Sequence, residues 1–356
     1  MFRSAHLWLP VYLASRKRGE FVSPTHVFFC FCDHYEPCWA KPSPDIARAR
    51  VCHWFDNYPR MADKFHDADG RPPQHTFFFP AEEYAPEYLD ALAQLSRRGY
   101  GETEIHLHHD NDTANNLTSG ILDFKTKLQQ HGFLSQNRYG FIHGNWSLCN
   151  SRPDRRWCGV NNELTILRDT GCYADFTLPS APSDTQTRKI NSIYYATDTP
   201  GQPKSHDTGI DARVGASPSG DLLLIQGPLA LDWHHRKWGL IPRIENADIS
   251  GNHRADAARV ENWIRQHIGV IGKPDWIFIK VHTHGCQEKN YSAIFDGQLH
   301  TALQQVCAAH GHILHYVTAR EMFNLVKAAE AGCNGDPASY RDYLLPPPPI
   351  RNKSGT

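Results

Sequence analysis

The chain contains no run of the roughly 18 apolar residues that a membrane-spanning helix requires. It also has almost no net charge, because 37 Lys and Arg residues against 38 Asp and Glu residues leave −1. A protein that binds nucleic acid through phosphates needs a basic surface, so nucleic acid is not an expected partner. With 40% hydrophobic residues, the composition is that of an ordinary globular protein. We expect no transmembrane segment.

The ten cysteines include no Cys-x-x-Cys pair, so the common structural zinc motif is absent from the sequence. Cys30 and Cys32 alternate within an apolar segment and are interpreted as buried small hydrophobic residues. Near the N-terminus, an apolar run at 6–14 precedes the basic cluster at 16–18, the reverse of the order in a signal peptide. We therefore expect a cytoplasmic protein with reduced thiols.

Apolar, strand-like segments alternate with segments of helical spacing along most of the chain. The runs at 26–32, 74–79 and 276–281 are typical of buried parallel strands, and 113–130 has the spacing of a helix. Strands that alternate with helices over this length predict an α/β fold with a parallel sheet.

No internal repeat and no clear linker divides the sequence, so one main domain is expected over residues 25–331. An N-terminal extension at 1–24 precedes it, and an irregular insertion interrupts it at about 199–255. A C-terminal tail at 332–356 contains four consecutive prolines and is predicted to be frayed.

Ionisable residues collect where four apolar strands are predicted to end. They are Asp33-His34-Tyr35-Glu36, the run from His106 to Asp112, His143-Gly144-Asn145-Trp146, and Lys280-Val281-His282-Thr283-His284. Each group alone is better explained as a polar strand end. Sites in parallel α/β folds form at the carboxyl ends of the strands, and imidazole with carboxylate suits zinc. Four such ends together predict a common metal site.

Three of these segments resemble motifs of the polysaccharide deacetylases that have a NodB-homology domain, carbohydrate esterase family 4. They are Phe31-Cys32-Asp33-His34, Glu104-Ile105-His106-Leu107-His108-His109-Asp110-Asn111-Asp112, and Ile279-Lys280-Val281-His282. The resemblance covers roughly residues 25–330 and is strongest to a branch associated with lipopolysaccharide biosynthesis. It implies a distorted (β/α) barrel of about seven parallel strands with long loop insertions.

The same resemblance implies a divalent metal, zinc first, with Co²⁺, Ni²⁺ or Mn²⁺ as alternatives. Its ligands would be His34, His108 and Asp112, and Asp33 would be the catalytic base. In an alternative register Asp33 is itself a ligand and Glu36 or Asp110 is the base. His106 and His109 remain spare ligand candidates.

The resemblance also assigns the remaining site residues. His282 would be the catalytic acid, with His284 on the same strand face as a second candidate, and Asp175 would orient it. The arginine of the third family motif is missing here. The residues expected to contact substrate are Tyr35, Glu36, His143, Asn145 and Trp146.

Together these features predict a metal-dependent hydrolase that removes an N-acetyl group from a sugar or glycan precursor in bacterial surface-polysaccharide synthesis. Two alternatives stay open: a hydrolase of another C–N bond on the same barrel, and a non-catalytic barrel that binds a glycan or a partner. The sequence does not indicate the oligomeric state.

Overall fold

The computed structural model describes residues 4–15 and 24–352. The strands are β1 (His26–His34), β2 (His75–Pro80), β3 (Gly101–Leu107), β4 (Tyr139–His143), β5 (Cys172–Asp175), β6 (Ile193–Ala196), β7 (Ile210–Asp211), β8 (Leu222–Ile225), β9 (Ala230–Lys237), β10 (Ile241–Glu245), β11 (Trp276–Thr283) and β12 (Ile313–Val317). The α-helices are α1 (Ala5–Ala14), α2 (Pro44–Ala62), α3 (Pro86–Arg97), α4 (Ala114–Gln130), α5 (Glu163–Asp169), α6 (Ala257–Arg265), α7 (Tyr291–Phe295), α8 (Gln298–His310) and α9 (Ala319–Glu330).

The main sheet has the strand order β11-β1-β2-β3-β4-β5-β8-β6-β7. All pairs from β11 to β8 are parallel, whereas β6 pairs antiparallel with both β8 and β7. Strand β12 pairs in parallel with the first half of β1. The chain therefore has a mixed α/β fold with a mostly parallel central sheet, and the predicted α/β class is confirmed.

Strand β1 is buried on both faces, and its residues alternate between two cores. Val27, Phe29 and Phe31 belong to one hydrophobic cluster, while Phe28 and the two cysteines that follow it belong to another. Both cysteines are 0% exposed, as predicted. Since neighbouring residues of a strand point to opposite faces, the next two residues, Asp33 and His34, also point to opposite sides of the sheet.

The insertion predicted to be irregular contains regular strands. β8 confirms the strand expected at 222–226 and joins the main sheet, whereas the stretch from Trp233 onwards, expected to be irregular, contributes to the hairpin of β9 and β10. Leu231 and Ile244 of this hairpin pack beside Trp8 of α1. The apolar N-terminal run thus forms a helix that covers this hairpin, while the basic cluster at 16–18 lies outside the described residues.

The expectation of a frayed tail is wrong for the described part of it. The backbone carbonyl of Leu345 accepts hydrogen bonds from the buried side chains of Arg320 and Asn324. Ile350 is 3% exposed, and its amide donates to the carbonyl of Gly132. Prolines prevent regular structure here but not packing, because the neighbouring polar groups are satisfied by side chains of α9. In the ranges that the structure describes, no helix is both long and apolar enough to cross a membrane.

Candidate metal centre

The sheet order brings three histidine-bearing strand ends together. β11 and β1 are neighbours, and β3 is separated from β1 only by β2. The ends of these strands supply one carboxylate and four imidazoles, which we call the Glu36 cluster: Glu36, His34, His106, His108 and His284. The ligand atoms of Glu36 with His106 and His108, and those of Glu36 with His34 and His284, each lie within 4.8 Å of one another.

Glu36 is the centre of this cluster. Its Oε1 atom lies 3.3 Å from Nε2 of His106 and 3.1 Å from Nε2 of His108. Its Oε2 atom accepts a hydrogen bond from Nδ1 of His284 at 3.0 Å. One buried carboxylate is therefore shared by histidines from the ends of β3 and β11.

The outer nitrogens of His106 and His108 are held by other acceptors. Nδ1 of His106 lies 3.1 Å from the carbonyl oxygen of Ile142, which can only accept, so this nitrogen carries the ring proton. Nδ1 of His108 is paired with the carboxylate of Glu82. In a neutral ring the Nε2 atoms then present lone pairs to Glu36. Histidines that bind a metal are held through their other nitrogen in this way.

The pKa values of residues in the Glu36 cluster are shifted in different directions. Burial alone would raise the pKa of Glu36, but the contacts of its carboxylate with His106, His108 and His284 outweigh it and hold that pKa well below its usual range. Burial lowers the pKa of His106 despite Glu36, so its ring is neutral. Burial opposes but does not prevent a rise in the pKa of His108 to about 10, caused by hydrogen bonds to Glu36 and Glu82. A cation is thus required between Glu36 and His108, either a proton or a metal ion.

His34 of this cluster and the neighbouring His282 are both buried and neutral. Burial, with the nearby His284 and His106, holds the pKa of His34 well below its usual range, and its Nδ1 has no hydrogen-bond partner. The pKa of His282 is lowered by burial and by Lys280, and neither of its ring nitrogens has a partner. Burial lowers the pKa of His284, but the effect of Glu36 is opposite and larger, so the pKa of His284 is raised above its ordinary value.

Trp146 forms one wall of the site. Its ring centre lies 5.6 Å from that of His34 and 5.4 Å from that of His282. The side chains of His108 and His284 are 30% and 27% exposed, so the Glu36 cluster is open to solvent on their side. Gly144 makes the close approach of the β4 end possible, because a Cβ there would overlap the ring of His108.

Asp33, the predicted base, points away from this cluster. Its side chain is fully buried, with Oδ2 3.0 Å from Nε2 of His75 and Oδ1 accepting from the amide of Gly285 at 2.6 Å. Tyr35, predicted to contact substrate, is also fully buried, with its ring 5.5 Å from that of Trp54. Both residues lie on the face of β1 opposite His34.

Asp175, predicted to orient the acid, accepts hydrogen bonds from the hydroxyl and the amide of Thr177. Burial raises its pKa to about 7, although Thr177 and Lys280 oppose the shift. Since the ring nitrogens of His282 have no partner, Asp175 is not hydrogen-bonded to that histidine.

Two of the predicted residues, His109 and His143, lie in a second group together with Cys158 and Glu163, which we call the Cys158 cluster. Asp112, the predicted third ligand, lies here, with Oδ2 3.2 Å from Nδ1 of His109. The amide of Asn145 donates to Nδ1 of His143 at 3.2 Å. The structure thus brings His34 and His108 to one carboxylate, that of Glu36, and places Asp112 beside the second cluster.

Sequence reasoning missed Glu82, Cys158 and Glu163. Glu82 lies in the short 3₁₀ turn after β2, a strand end that carries two adjacent glutamates and could have been included among the polar strand ends. Cys158 lies in a long connection without periodicity, and Glu163 opens a helix where an acidic residue is common. Neither of these two gave a local signal.

No protein-family model matches the chain, and no curated protein matches it. Among solved structures, it is similar to the 4-alpha-glucanotransferase from Thermococcus litoralis at 12% sequence identity and a TM-score of 0.43. The match covers 82% of this chain and 39% of the glucanotransferase, so the chain spans well under half the length of that protein.

Proposed function

We propose that the protein is a metal-dependent hydrolase that removes an N-acetyl group from a sugar or glycan precursor. The observation that carries this function is the Glu36 cluster, in which two Nε2 atoms converge on one carboxylate at a solvent-accessible strand end. The same arrangement would suit another linear amide, so the choice of an acetylated amino sugar as substrate depends on the motif resemblance. We further infer a nucleotide-linked or lipid-linked precursor in the cytoplasm, in surface-polysaccharide synthesis.

The donors fit a divalent metal, zinc first. We infer that His106, His108 and Glu36 hold it, since two histidines and a glutamate form a known catalytic zinc set that leaves a coordination position open. The bonds from His106 to Ile142 and from His108 to Glu82 supply the outer support that such ligands need. A metal bound there would lower the pKa of a water molecule and polarise the acetamide carbonyl.

The histidines around the ligands are suited to proton transfer. His284, whose pKa is raised by Glu36 and whose side chain is partly exposed, can deliver a proton to the leaving amine. His34 is held neutral and can accept a proton. A pair of titratable groups with pKa values pushed apart is a pattern of acid–base catalysis. Asp33 then acts as a positioning residue, because it fixes the amide of Gly285 next to His284.

We also propose that the sheet belongs to a distorted (β/α) barrel. The edge strand β11 receives parallel pairing from residues 247–249 through His282. At the other edge, the residues after β7 exchange backbone hydrogen bonds with Ile271, and nearby Ile268 accepts from Phe278 of β11. These bonds link the two ends of the strand path, which supports a sheet that curls back on itself rather than lying flat.

The function can be tested by acetate release. Metal-free protein would be reloaded with Zn²⁺, Co²⁺, Ni²⁺ or Mn²⁺ and incubated with N-acetylated oligosaccharides and nucleotide-linked N-acetyl sugars. We expect acetate and free amine from metal-loaded protein, and none from His108→Ala. His66→Ala, a change at an exposed histidine, is the matched control. A protein that binds these glycans with metal present but releases no acetate would be the non-catalytic alternative.

A further inference from the structure

The Cys158 cluster joins four separate parts of the chain. His109 follows β3, His143 ends β4, Cys158 lies in the β4–α5 connection, and Glu163 begins α5. That connection spans residues 144–162 and contains only the short 3₁₀ turn Leu148–Asn150. The ligand atoms of all four residues nevertheless lie within 4.8 Å of one another. A connection of this length without regular structure usually needs something to fix it.

The donors have the types and spacing of a tetrahedral zinc site. Nε2 of His109 lies 3.3 Å, and Nε2 of His143 3.8 Å, from Oε1 of Glu163, while Sγ of Cys158 lies 3.4 Å from Oε2. Zinc bonds of about 2.0–2.3 Å place neighbouring donors roughly 3.3–3.6 Å apart. Thiolate, imidazole and carboxylate are the three protein ligands of zinc.

In the part of the chain that the structure describes, no Lys or Arg forms a salt bridge with this cluster. His143, Cys158 and Glu163 are all 0% exposed, and Nε2 of His143 has no hydrogen-bond partner. The carboxylate of Glu163 contacts His109, His143 and Sγ of Cys158, and its Oε2 accepts a hydrogen bond from the backbone amide of Cys149 at 2.6 Å. A buried carboxylate without a cation and a buried nitrogen without a partner are both costly. One bound cation would satisfy both groups.

The surroundings support the ligands. Oδ2 of Asp112 lies 3.2 Å from Nδ1 of His109, which makes no hydrogen bond, so this carboxylate is within reach of the pairing that orients zinc ligands. The amide of Asp112 donates to the carbonyl of Cys158 at 2.9 Å, and Gly159 permits this contact because a Cβ there would overlap the Asp112 backbone. Binding through Nε2 of His143 leaves the ring proton on Nδ1. That tautomer gives up the hydrogen bond that the backbone amide of Asn145 donates to Nδ1 at 3.2 Å, and the metal bond at Nε2 would replace it.

We propose that His109, His143, Cys158 and Glu163 form a second, structural zinc site that fixes the β4–α5 connection. On binding, Cys158 releases its thiol proton to solvent and the thiolate becomes a ligand. All four positions are taken by protein, as in structural zinc sites, whereas the Glu36 cluster is open to solvent. The connection carries Trp146, so the second ion would also hold one wall of the first site in place. The zinc site does not depend on the reaction catalysed at the Glu36 cluster.

Cobalt spectroscopy can test the second site without an activity assay. Thiolate bound to Co²⁺ gives a charge-transfer band in the near ultraviolet, and the Glu36 cluster contains no cysteine. We expect metal-free protein reloaded with Co²⁺ to show this band, and Cys158→Ser to lose it while its metal content falls from about two ions to about one per chain. Cys149→Ser is the matched control, because Cys149 is equally buried and lies in the same connection, with Sγ near Asp198 rather than in the cluster.

Two further variants distinguish the second site from the first and from a loss of folding. His108→Ala, which removes a ligand of the Glu36 cluster, should keep the charge-transfer band even if the proposed hydrolase function fails. Glu163→Gln keeps the shape of the side chain, so it should fold and yet bind cobalt at least about tenfold more weakly at the thiolate site. A wild-type protein without the band would overturn the second site. The same holds if the band survives in Cys158→Ser or is lost equally in Cys149→Ser.

Discussion

The Nε2 atom of His108 lies 3.1 Å from Oε1 of Glu36. Glu82 holds the opposite nitrogen of the same ring, so the histidine stands between two carboxylates. Without a metal, a proton on His108 must occupy the gap, and this is why its pKa rises to about 10 against the effect of burial. A metal ion would replace that proton, since only a neutral imidazole is a ligand.

Glu36→Gln should remove the metal of the first site. The amide has the same shape but no charge, and it cannot balance a divalent ion beside His106 and His108. We expect metal affinity at this cluster to fall by on the order of 100-fold or more, and acetate release to be lost with it. Elemental analysis of dialysed protein measures the first effect. Glu87→Gln, an exposed change on α3, is the control. Full metal content in Glu36→Gln would mean that the ligands lie elsewhere.

Glu82→Gln should weaken the same site more mildly. Glu82 does not contact the proposed ion but orients His108 through Nδ1, and loss of such outer partners typically costs 10–100-fold in metal affinity. Competition with a chromophoric chelator gives the affinity directly. An affinity equal to that of wild type would show that the contact between Glu82 and His108 does not support a ligand.

Asp33→Asn distinguishes whether this carboxylate positions other residues or acts as the catalytic base. If Asp33 positions Gly285 and His284, the metal should remain and kcat should fall by about tenfold or less. Stability should fall by about 1–3 kcal/mol, because one buried hydrogen bond is broken. Thermal unfolding and acetate release measured on the same sample give both numbers. A loss in kcat beyond about 1000-fold, with metal and stability retained, would instead support the predicted role of Asp33 as base.

Much of this arrangement could be predicted from the sequence. The continuous apolar runs predicted the strands of the parallel sheet, and the polar residues after them marked the strand ends that meet at the Glu36 cluster. The period of two along β1 also implied that Asp33 and His34 point to opposite faces. A motif resemblance, by contrast, compares the order of residue types along the chain and does not distinguish residues on opposite faces of a strand. It therefore gave Glu36 a contact to substrate or the alternative role of base, whereas the structure places it at the centre of the histidines.

Other features could not be predicted because their partners are distant in sequence and lie in irregular segments. Cys158 approaches His109 and His143 only after the β4–α5 connection has folded over the ends of two strands. The hairpin of β9 and β10 was predicted to be irregular because a run of Trp, His and Arg residues shows no alternation between polar and apolar side chains. Its apolar residues Leu231 and Ile244 pack against a cluster that contains Trp8 of α1, a residue distant in sequence.

Glu104 gives a pH dependence of stability that is independent of metal. It is fully buried on β3, and burial raises its pKa to about 8 although Tyr173 and the amide of Gly140 donate hydrogen bonds to it. The folded protein then holds this proton more tightly than the unfolded chain, whose glutamate has a pKa near 4.5. The stabilising contribution is complete below about pH 4.5 and is lost as the pH rises towards 8, at about 1.4 kcal/mol per pH unit.

Glu104→Gln mimics the protonated acid and should remove this slope. We expect the variant to be at least as stable as wild type near pH 8 and to lose little stability between pH 5 and 8. Urea unfolding of metal-free protein at several pH values measures the difference. Glu87→Gln serves again as control, since an exposed glutamate should leave the slope unchanged. A slope in Glu104→Gln as steep as that of wild type would assign the proton to another group.

Trp146→Ala tests whether the wall of the first site binds the sugar. The Trp146 ring stands against His34 and His282 but offers no ligand to a metal, so metal content should not change. Aromatic faces bind the apolar faces of sugar rings, and their removal should raise KM by on the order of 10-fold while kcat changes less. Trp157→Ala, at an exposed tryptophan of the same connection, is the matched control. If kcat falls in Trp146→Ala while KM stays constant, the ring positions the histidines instead of the substrate.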